Sequence, residues 1–292
     1  MTERRTERRT KRRAERATER GVRRIVIACD AVGEHRAAIL AAVRLAQRWG
    51  AALHGVYVED PGLMRLAELP VVRHVAMGPA RSRPFDPETL EGFFAVQAER
   101  ARAVLEKAAR EHGLAWSFAV VRDDPTAAAL AAEGDDWVVV EAHSRPFAGQ
   151  LRLETRWSGA LFATPHTVML VRDGRRRRGG VVVLVQGEDE RARDVIALAA
   201  RMADGAHRAL TLLLVAGGPT AEEARAWVRD ESITAFEHCR VVAVAGGKAE
   251  IARAIAGHGG DLLVLDADPA GNAAEALREL VAATDADVLL VR

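Results

Sequence analysis

Residues 136–142 read DWVVVEA and residues 167–172 read TVMLVR; a second pair, DLLVLDA at 261–267 and DVLLVR at 287–292, repeats this arrangement. Each stretch contains a short run of Val and Leu, which is typical of a buried parallel strand. A repeated strand–helix–strand ending indicates two copies of one α/β unit in a single chain. The repeat therefore predicts the fold class before any single residue is considered.

Composition narrows the classes of function. The 292 residues suit two domains of ordinary size, and the 49% hydrophobic content is enough for two buried cores. No apolar stretch approaches the roughly 20 residues that a membrane span needs, so no membrane association is expected. The two cysteines, Cys29 and Cys239, fall in separate halves of the chain. This placement fits a reduced, cytoplasmic protein without a disulfide framework.

Positive charge is concentrated at the amino terminus. Residues 1–24 contain ten Arg, one Lys and four Glu, a net charge of +7, so the rest of the chain carries −6 of the total of +1. Residues 1–21 contain no large apolar side chain beyond Met1, which predicts a disordered basic arm. The acidic remainder and the 4% aromatic content give no case for nucleic acid, apart from a contact through this arm.

Along both halves, short apolar runs alternate with segments in which apolar residues recur at the spacing of an α-helix. This alternation requires right-handed crossovers and a parallel sheet with helices on both faces. In the first half, strands are predicted at 24–30, 52–60, 115–121, 136–142 and 167–172. In the second half, they are predicted at 181–186, 208–215, 240–246, 261–267 and 287–292.

Local composition marks the domain bounds. We predict a first domain at 22–173, in which residues 61–93 form an irregular insert because they hold five of the ten prolines. Residues 174–180 read GRRRRGG, which predicts a linker of mutually repelling arginines and flexible glycines. A second, shorter domain follows at 181–292.

The duplicated order of strands and helices resembles the universal stress protein family in its tandem form. In the first copy, the segments that carry the resemblance are 24–60, where Asp30 closes the first strand, 136–144, which reads DWVVVEAHS, and 158–174, which reads SGALFATPHTVMLVRDG. The resemblance implies two tandem Rossmann-like, open parallel α/β sheets of five strands each, in the order 3-2-1-4-5. It also implies that the strands at 167–172 and 287–292 pair at their edges. The chain would then be an intramolecular pseudo-dimer, and a homodimer is a further expectation.

Nucleotide-binding members of this family hold ATP where the carboxyl ends of the first and fourth strands separate. A glycine-rich loop after the fourth strand wraps the phosphates. By this resemblance, the candidate nucleotide crevice consists of Asp30, His143, Ser144 and Thr155. Glycine suits such a loop because a residue without a side chain lets backbone amides approach phosphate oxygens closely.

The sequence departs from that glycine pattern. Glu141, Ser144 and Glu154 occupy the three glycine positions of the first half, and two carboxylates there would repel a polyphosphate. In the second half, the first strand ends with Gln186 instead of an acid, and the segment between the last two strands is too short for the loop. We therefore expect no cofactor; ATP or AMP in the first crevice is the alternative.

No catalytic motif stands out. The sequence has no Walker A, G-x-S-x-G or H-E-x-x-H pattern and no cluster with metal-ligand spacing, so we predict a protein that is not an enzyme. We expect a stress-response protein that associates with an unknown protein partner through the insert 61–93, in which the segment 63–77 is apolar. The alternatives are a nucleotide-sensing switch and, for that segment, a lid over the crevice or ordinary packing against the sheet edge.

Overall fold

The structure is a computed structural model in which strands and helices alternate along the chain. The chain divides into two compact units, of which the first ends at Val138 and the second begins at Val139. The predicted domains, 22–173 and 181–292, rest on the sequence repeat and stay a prediction. The structure describes residues 22–30, 35–69, 73–75, 82–84, 87–122, 132–142, 164–172, 179–204, 208–258, 260–267, 280–281, 284 and 286–292.

The first unit contains the alternating elements that the apolar runs predict, and its insert holds a short helix and a strand pair. Its elements are β1 (Arg24–Cys29), α1 (Arg36–Trp49), β2 (Ala52–Glu59), α2 (Pro61–Ala67), β3 (Arg73–Val75), β4 (Ser82–Pro84), α3 (Pro87–Glu111) and β5 (Trp116–Arg122). The next strand, β6 (Trp137–Ala142), begins at the end of this unit and continues into the second. β3 and β4 pair antiparallel with each other.

The second unit repeats the alternation. Its elements are β7 (Val168–Arg172), β8 (Val181–Val185), α4 (Glu190–Asp204), β9 (Leu210–Val215), α5 (Ala221–Glu231), α6 (Ile233–Glu237), β10 (Cys239–Val244), α7 (Lys248–His258), β11 (Leu262–Asp266) and β12 (Asp287–Val291). In the part of the chain that the structure describes, no helix has the length and apolar character that crossing a membrane requires.

The strands other than β3 and β4 form one ten-stranded sheet with the order β10-β9-β8-β11-β12-β7-β6-β1-β2-β5. The expectation of two five-stranded sheets is therefore corrected, because these strands belong to a single sheet. The physical reason lies at the strand edges, where unpaired N–H and C=O groups are satisfied when β7 pairs with β12. Within the larger sheet, the run β10-β9-β8-β11-β12 follows the order 3-2-1-4-5.

Parallel pairing follows from the residue types of the strands. β8 reads VVVLV and is buried along its whole length, as expected for a parallel strand with helices over both faces. The pairs β1–β2, β2–β5, β8–β9, β9–β10, β8–β11 and β11–β12 are parallel. The α/β class predicted from the sequence is thus present.

β7 and β12 pair antiparallel, in contrast to these parallel pairs. The end of each strand bonds to the start of the other: Arg172 N donates to Asp287 Oδ1 at 2.8 Å, and Arg292 N donates to Thr167 Oγ1 at 3.3 Å. The reciprocal bonds set the register of the pair at both of its ends. The two segments that we expected to meet, 167–172 and 287–292, do pair.

An aspartate before the fourth strand of each copy ties the amino ends of neighbouring strands together. Asp136 is only 2% exposed, and its Oδ2 accepts hydrogen bonds from Arg24 Nε at 2.9 Å, Arg24 Nη2 at 2.6 Å and Glu133 N at 3.0 Å. Asp261 Oδ2 accepts from Gly179 N at 2.6 Å. The first acid of DWVVVEA and of DLLVLDA is therefore a structural group in both copies.

We expect Asp136→Ala to lower the free energy of unfolding by about 2 kcal/mol, because the Arg24 guanidinium and the Glu133 amide lose their acceptor. Urea unfolding followed by circular dichroism measures this change. The control is Glu99→Ala, which removes an exposed carboxylate 3.7 Å from Arg102 and should change stability by less than about 0.5 kcal/mol. Equal effects of the two substitutions would contradict the structural role of Asp136.

Candidate functional site

The carboxyl end of β1 carries the site residue that the sequence predicted and the structure describes. β1 is made of buried Ile, Val and Ala and ends at Cys29, and Asp30 follows it. The Asp30 side chain is 17% exposed, so its carboxylate is accessible from solvent at this edge of the sheet. In open α/β sheets, ligands bind in the crevice outside the carboxyl ends of the strands. Asp30 is therefore placed where a ligand group would be recognised.

The other predicted crevice residues follow β6 in the chain. His143, Ser144 and Thr155 lie outside the described residues, as does Glu154. Their part in a crevice stays a prediction. Glu141, which stands at the first predicted glycine position, is half-buried within β6.

His35 lies against Asp30, a contact that sequence reasoning missed. The residue is 3% exposed. Its Nε2 is 2.9 Å from Asp30 O, 3.0 Å from Asp30 N and 3.4 Å from Asp30 Oδ1. A single ring nitrogen either donates or accepts, so the tautomer decides which of these contacts is a hydrogen bond. In either case, the imidazole occupies space beside the carboxylate.

The backbone at His35 explains why the sequence did not reveal this contact. His35 has φ 50° in the left-handed region and precedes α1, where its carbonyl oxygen accepts from Ile39 N at 2.9 Å. A left-handed non-glycine residue costs roughly 1–2 kcal/mol, so local preference does not predict it. A histidine five residues after the strand acid is the one signal in the sequence.

Tyr57 is a second buried polar group near the end of β1. It lies opposite Cys29 in the β1–β2 pair and is fully buried. Its hydroxyl has no hydrogen-bond partner in the described part of the chain. Burial, and then the negative charges of Asp30 and Glu59, raise the pKa of Tyr57 above its ordinary value. The phenol is therefore neutral at pH 7.

The second unit places an ion pair at the carboxyl end of its fourth strand. β11 ends at Asp266, whose Oδ1 accepts from Arg191 Nε at 2.6 Å. Arg191 lies in the first turn of α4, where the helix dipole disfavours a positive charge, and the carboxylate offsets this cost. Gln186, which replaces the strand acid in this copy, follows β8 and is exposed. The chain's own arginine thus balances the Asp266 charge.

A serine–histidine pair lies near the amino ends of β2 and β5, away from Asp30. His54 Nδ1 is 2.7 Å from Ser117 Oγ, and the two residues are opposite each other in the strand register. Burial, and then the charge of Arg24, lowers the pKa of His54. Such a pair resembles a nucleophile with its base. Among the described residues, however, no carboxylate is hydrogen-bonded to the His54 ring to orient it.

Metal ligands are not grouped in the described ranges. Within them, no set of three or more His, Cys, Asp or Glu side chains is arranged to hold a metal ion. The polar groups at the carboxyl ends of the strands are instead paired within the chain, as Asp30 with His35 and Asp266 with Arg191.

Known structures resemble this arrangement of strands. A universal stress protein from Archaeoglobus fulgidus superposes with a TM-score of 0.62 at 11% sequence identity, over 92% of this chain and 95% of that chain. The chain has the universal stress protein fold. No protein-family model and no curated protein matches the sequence.

Two further structures share the universal stress protein fold with this chain. A candidate universal stress protein from Pseudomonas aeruginosa superposes with a TM-score of 0.56 at 17% identity, over 93% of this chain and 94% of that chain. A protein of unknown function from the same species superposes with a TM-score of 0.52 at 17% identity, over 93% of each chain. At these identities, the likeness establishes the fold.

We expect Tyr57→Phe to raise the free energy of unfolding by about 1 kcal/mol at pH 7, because it removes a buried hydroxyl that has no partner. Chemical unfolding of the two proteins measures the difference. Tyr57→Leu serves as the control for ring packing and should be destabilising, since it replaces a large buried side chain with a smaller one. A loss of stability in Tyr57→Phe would show that the hydroxyl does have a partner.

The difference in the free energy of unfolding between the wild type and Tyr57→Phe should depend on pH. Because the pKa of Tyr57 is raised in the folded state, the unfolded chain ionises first, near the ordinary tyrosine pKa of about 10. Stability that is present below pH 10 is then lost as the pH rises above it. Tyr57 is the only tyrosine. The Tyr57→Phe protein should therefore not show this loss of stability when its free energy of unfolding is measured from about pH 8 to 11.

Proposed function

We propose that the protein acts in a stress response by associating with a partner protein, and that its crevices do not bind ATP. The observation that supports this most is the pairing of the strand-end carboxylates within the chain, Asp30 with His35 and Asp266 with Arg191. A triphosphate would have to displace the basic group or face the carboxylate, and like charges repel. The stress-response part of the proposal is supported by the universal stress protein fold.

Exposed apolar side chains of the first unit support the association. Among the described residues, all large hydrophobic side chains that are more than a third exposed belong to this unit. They are Leu40, Leu66, Leu69, Phe93, Val96, Val104 and Val120. Leu66, Leu69 and Phe93 fall within the insert 61–93, and α2 contacts α3 there. Exposed apolar side chains are the kind of surface that a partner protein covers, so we expect an apolar partner surface.

Calorimetric titration with ATP, with and without magnesium, should show no binding at micromolar concentrations. A dissociation constant near 10 µM, about −7 kcal/mol, would favour the alternative of a nucleotide-sensing switch. In that case, loss of ATP binding in Asp30→Ala would assign the site to the first unit. Loss of ATP binding in Asp266→Ala would assign it to the second unit. AMP titrated in the same way tests a smaller nucleotide.

A double substitution, Leu69→Asp with Phe93→Asp, should weaken partner binding by at least about tenfold, because charged groups replace exposed apolar contacts. A partner that copurifies with the wild-type chain under stress is purified and titrated against both proteins. Gln47→Asp, which adds the same charge at an exposed polar position of α1, is the control and should leave the affinity within about twofold. Equal affinities of the double variant and the wild type would contradict this surface. Light scattering measures the molar mass of the chain in solution, and a dimeric mass would show that a second copy of the chain covers this surface.

A further inference from the structure

A groove in the second unit lies between α5, α6 and the first residue of β10. Its volume is about 690 Å³, which is within the range of known ligand sites. None of the predicted site residues lies in this groove. Its lining residues are Ala221, Glu222, Arg225, Arg229, Phe236 and Cys239.

Two arginines give the groove a positive charge. Arg225 and Arg229 lie one turn apart on α5, so their side chains share one face of the helix. Arg229 Cζ is 4.4 Å from the centre of the Phe236 ring, a cation–π contact that holds the guanidinium in place. Both arginines are exposed. Each can therefore bind a further anionic group.

The neighbouring acids do not neutralise these arginines. Asp230 Oδ2 accepts from Arg193 Nη2 at 3.0 Å, and Glu231 Oε2 is 3.5 Å from Arg201 Nε. Within the described ranges, neither Arg225 nor Arg229 forms an ion pair with a carboxylate. The one acid in the groove is Glu222, so the groove has a net positive charge.

The floor of the groove is apolar. Phe236 is half-buried. Burial raises the pKa of the Cys239 thiol to about 11, although the charge of Arg225 acts in the opposite direction. The thiol is therefore neutral at pH 7 and does not cancel the charge of the arginines. A matching ligand carries an anionic group on an apolar body.

The neighbouring strand edge favours an extended ligand. β10 begins at Cys239 and stands at the end of the sheet order. In the described part of the chain, β9 is the one strand that pairs with β10. The outer edge of such a strand offers N–H and C=O groups to an added strand, a common mode of peptide recognition.

We infer that this groove binds an extended acidic peptide segment of a partner protein, in which an apolar residue and two acidic residues stand at every second position and so face the groove together. The acidic side chains bind Arg225 and Arg229, and the apolar side chain packs on Phe236 and Cys239. The peptide backbone pairs with the outer edge of β10. This surface lies in the second unit, and it is separate from the apolar surface proposed for the first unit.

The test uses the full chain and a fluorescein-labelled, acetylated pentapeptide of sequence VTETD, whose Val, Glu and Asp share one face of an extended strand, with VTQTN as the uncharged peptide for comparison. Fluorescence anisotropy should show saturable binding of the acidic peptide that weakens as sodium chloride rises from about 0.05 M to 0.5 M. Arg225→Glu with Arg229→Glu should weaken binding at least about tenfold, since charge-assisted bonds become repulsive. Arg253→Glu, an exposed charge reversal on α7, is the matched control and should change affinity less than about twofold.

Several outcomes would overturn the inference. They are equal binding of VTQTN, unchanged binding in the double arginine variant, and displacement of the peptide by benzoate at a similar concentration, which would indicate a small-molecule site. The variant with Leu69→Asp and Phe93→Asp should bind the peptide as the wild type does. Failure of the proposed function in the first unit is therefore distinguishable from failure of this groove.

Discussion

The antiparallel pairing of β7 with β12 is the constraint on which the sheet depends. Every other pair whose register is described in this sheet is parallel, so the chain changes strand direction at this pair. Hydrogen bonds to Asp287 and Thr167 secure the two ends of the pair. The Arg172 guanidinium also donates to the carbonyl oxygen of Val281. The junction thus combines backbone pairing with side-chain bonds that suit this register.

Much of the fold could be predicted because it depends on local runs of residues. DWVVVEA and DLLVLDA correspond to β6 (Trp137–Ala142) and β11 (Leu262–Asp266). The pairing of 167–172 with 287–292 was expected from the family resemblance, whereas the joining of all these strands into one sheet could not be predicted from the apolar runs. It depends on the pairing of strand edges far apart in sequence, which apolar runs do not encode.

The candidate site was less accessible to sequence reasoning. Asp30 could be identified because an acid that follows a buried strand is visible in the sequence. The ion pair between Arg191 and Asp266 joins residues 75 positions apart, so it emerges only after the chain has folded. The left-handed conformation of His35 runs against local preference. The lack of a partner for the Tyr57 hydroxyl is likewise a property of tertiary packing.

The junction of β7 and β12 also has a kinetic consequence. Two separate chains that met through such strand edges would associate in a second-order step, at a rate set by their concentration. Here both strands belong to one polypeptide, so their encounter is first-order and has a high effective concentration. Dilution or a fall in expression leaves this pairing intact. The joined sheet is therefore equally complete in a cell that contains few copies of the chain.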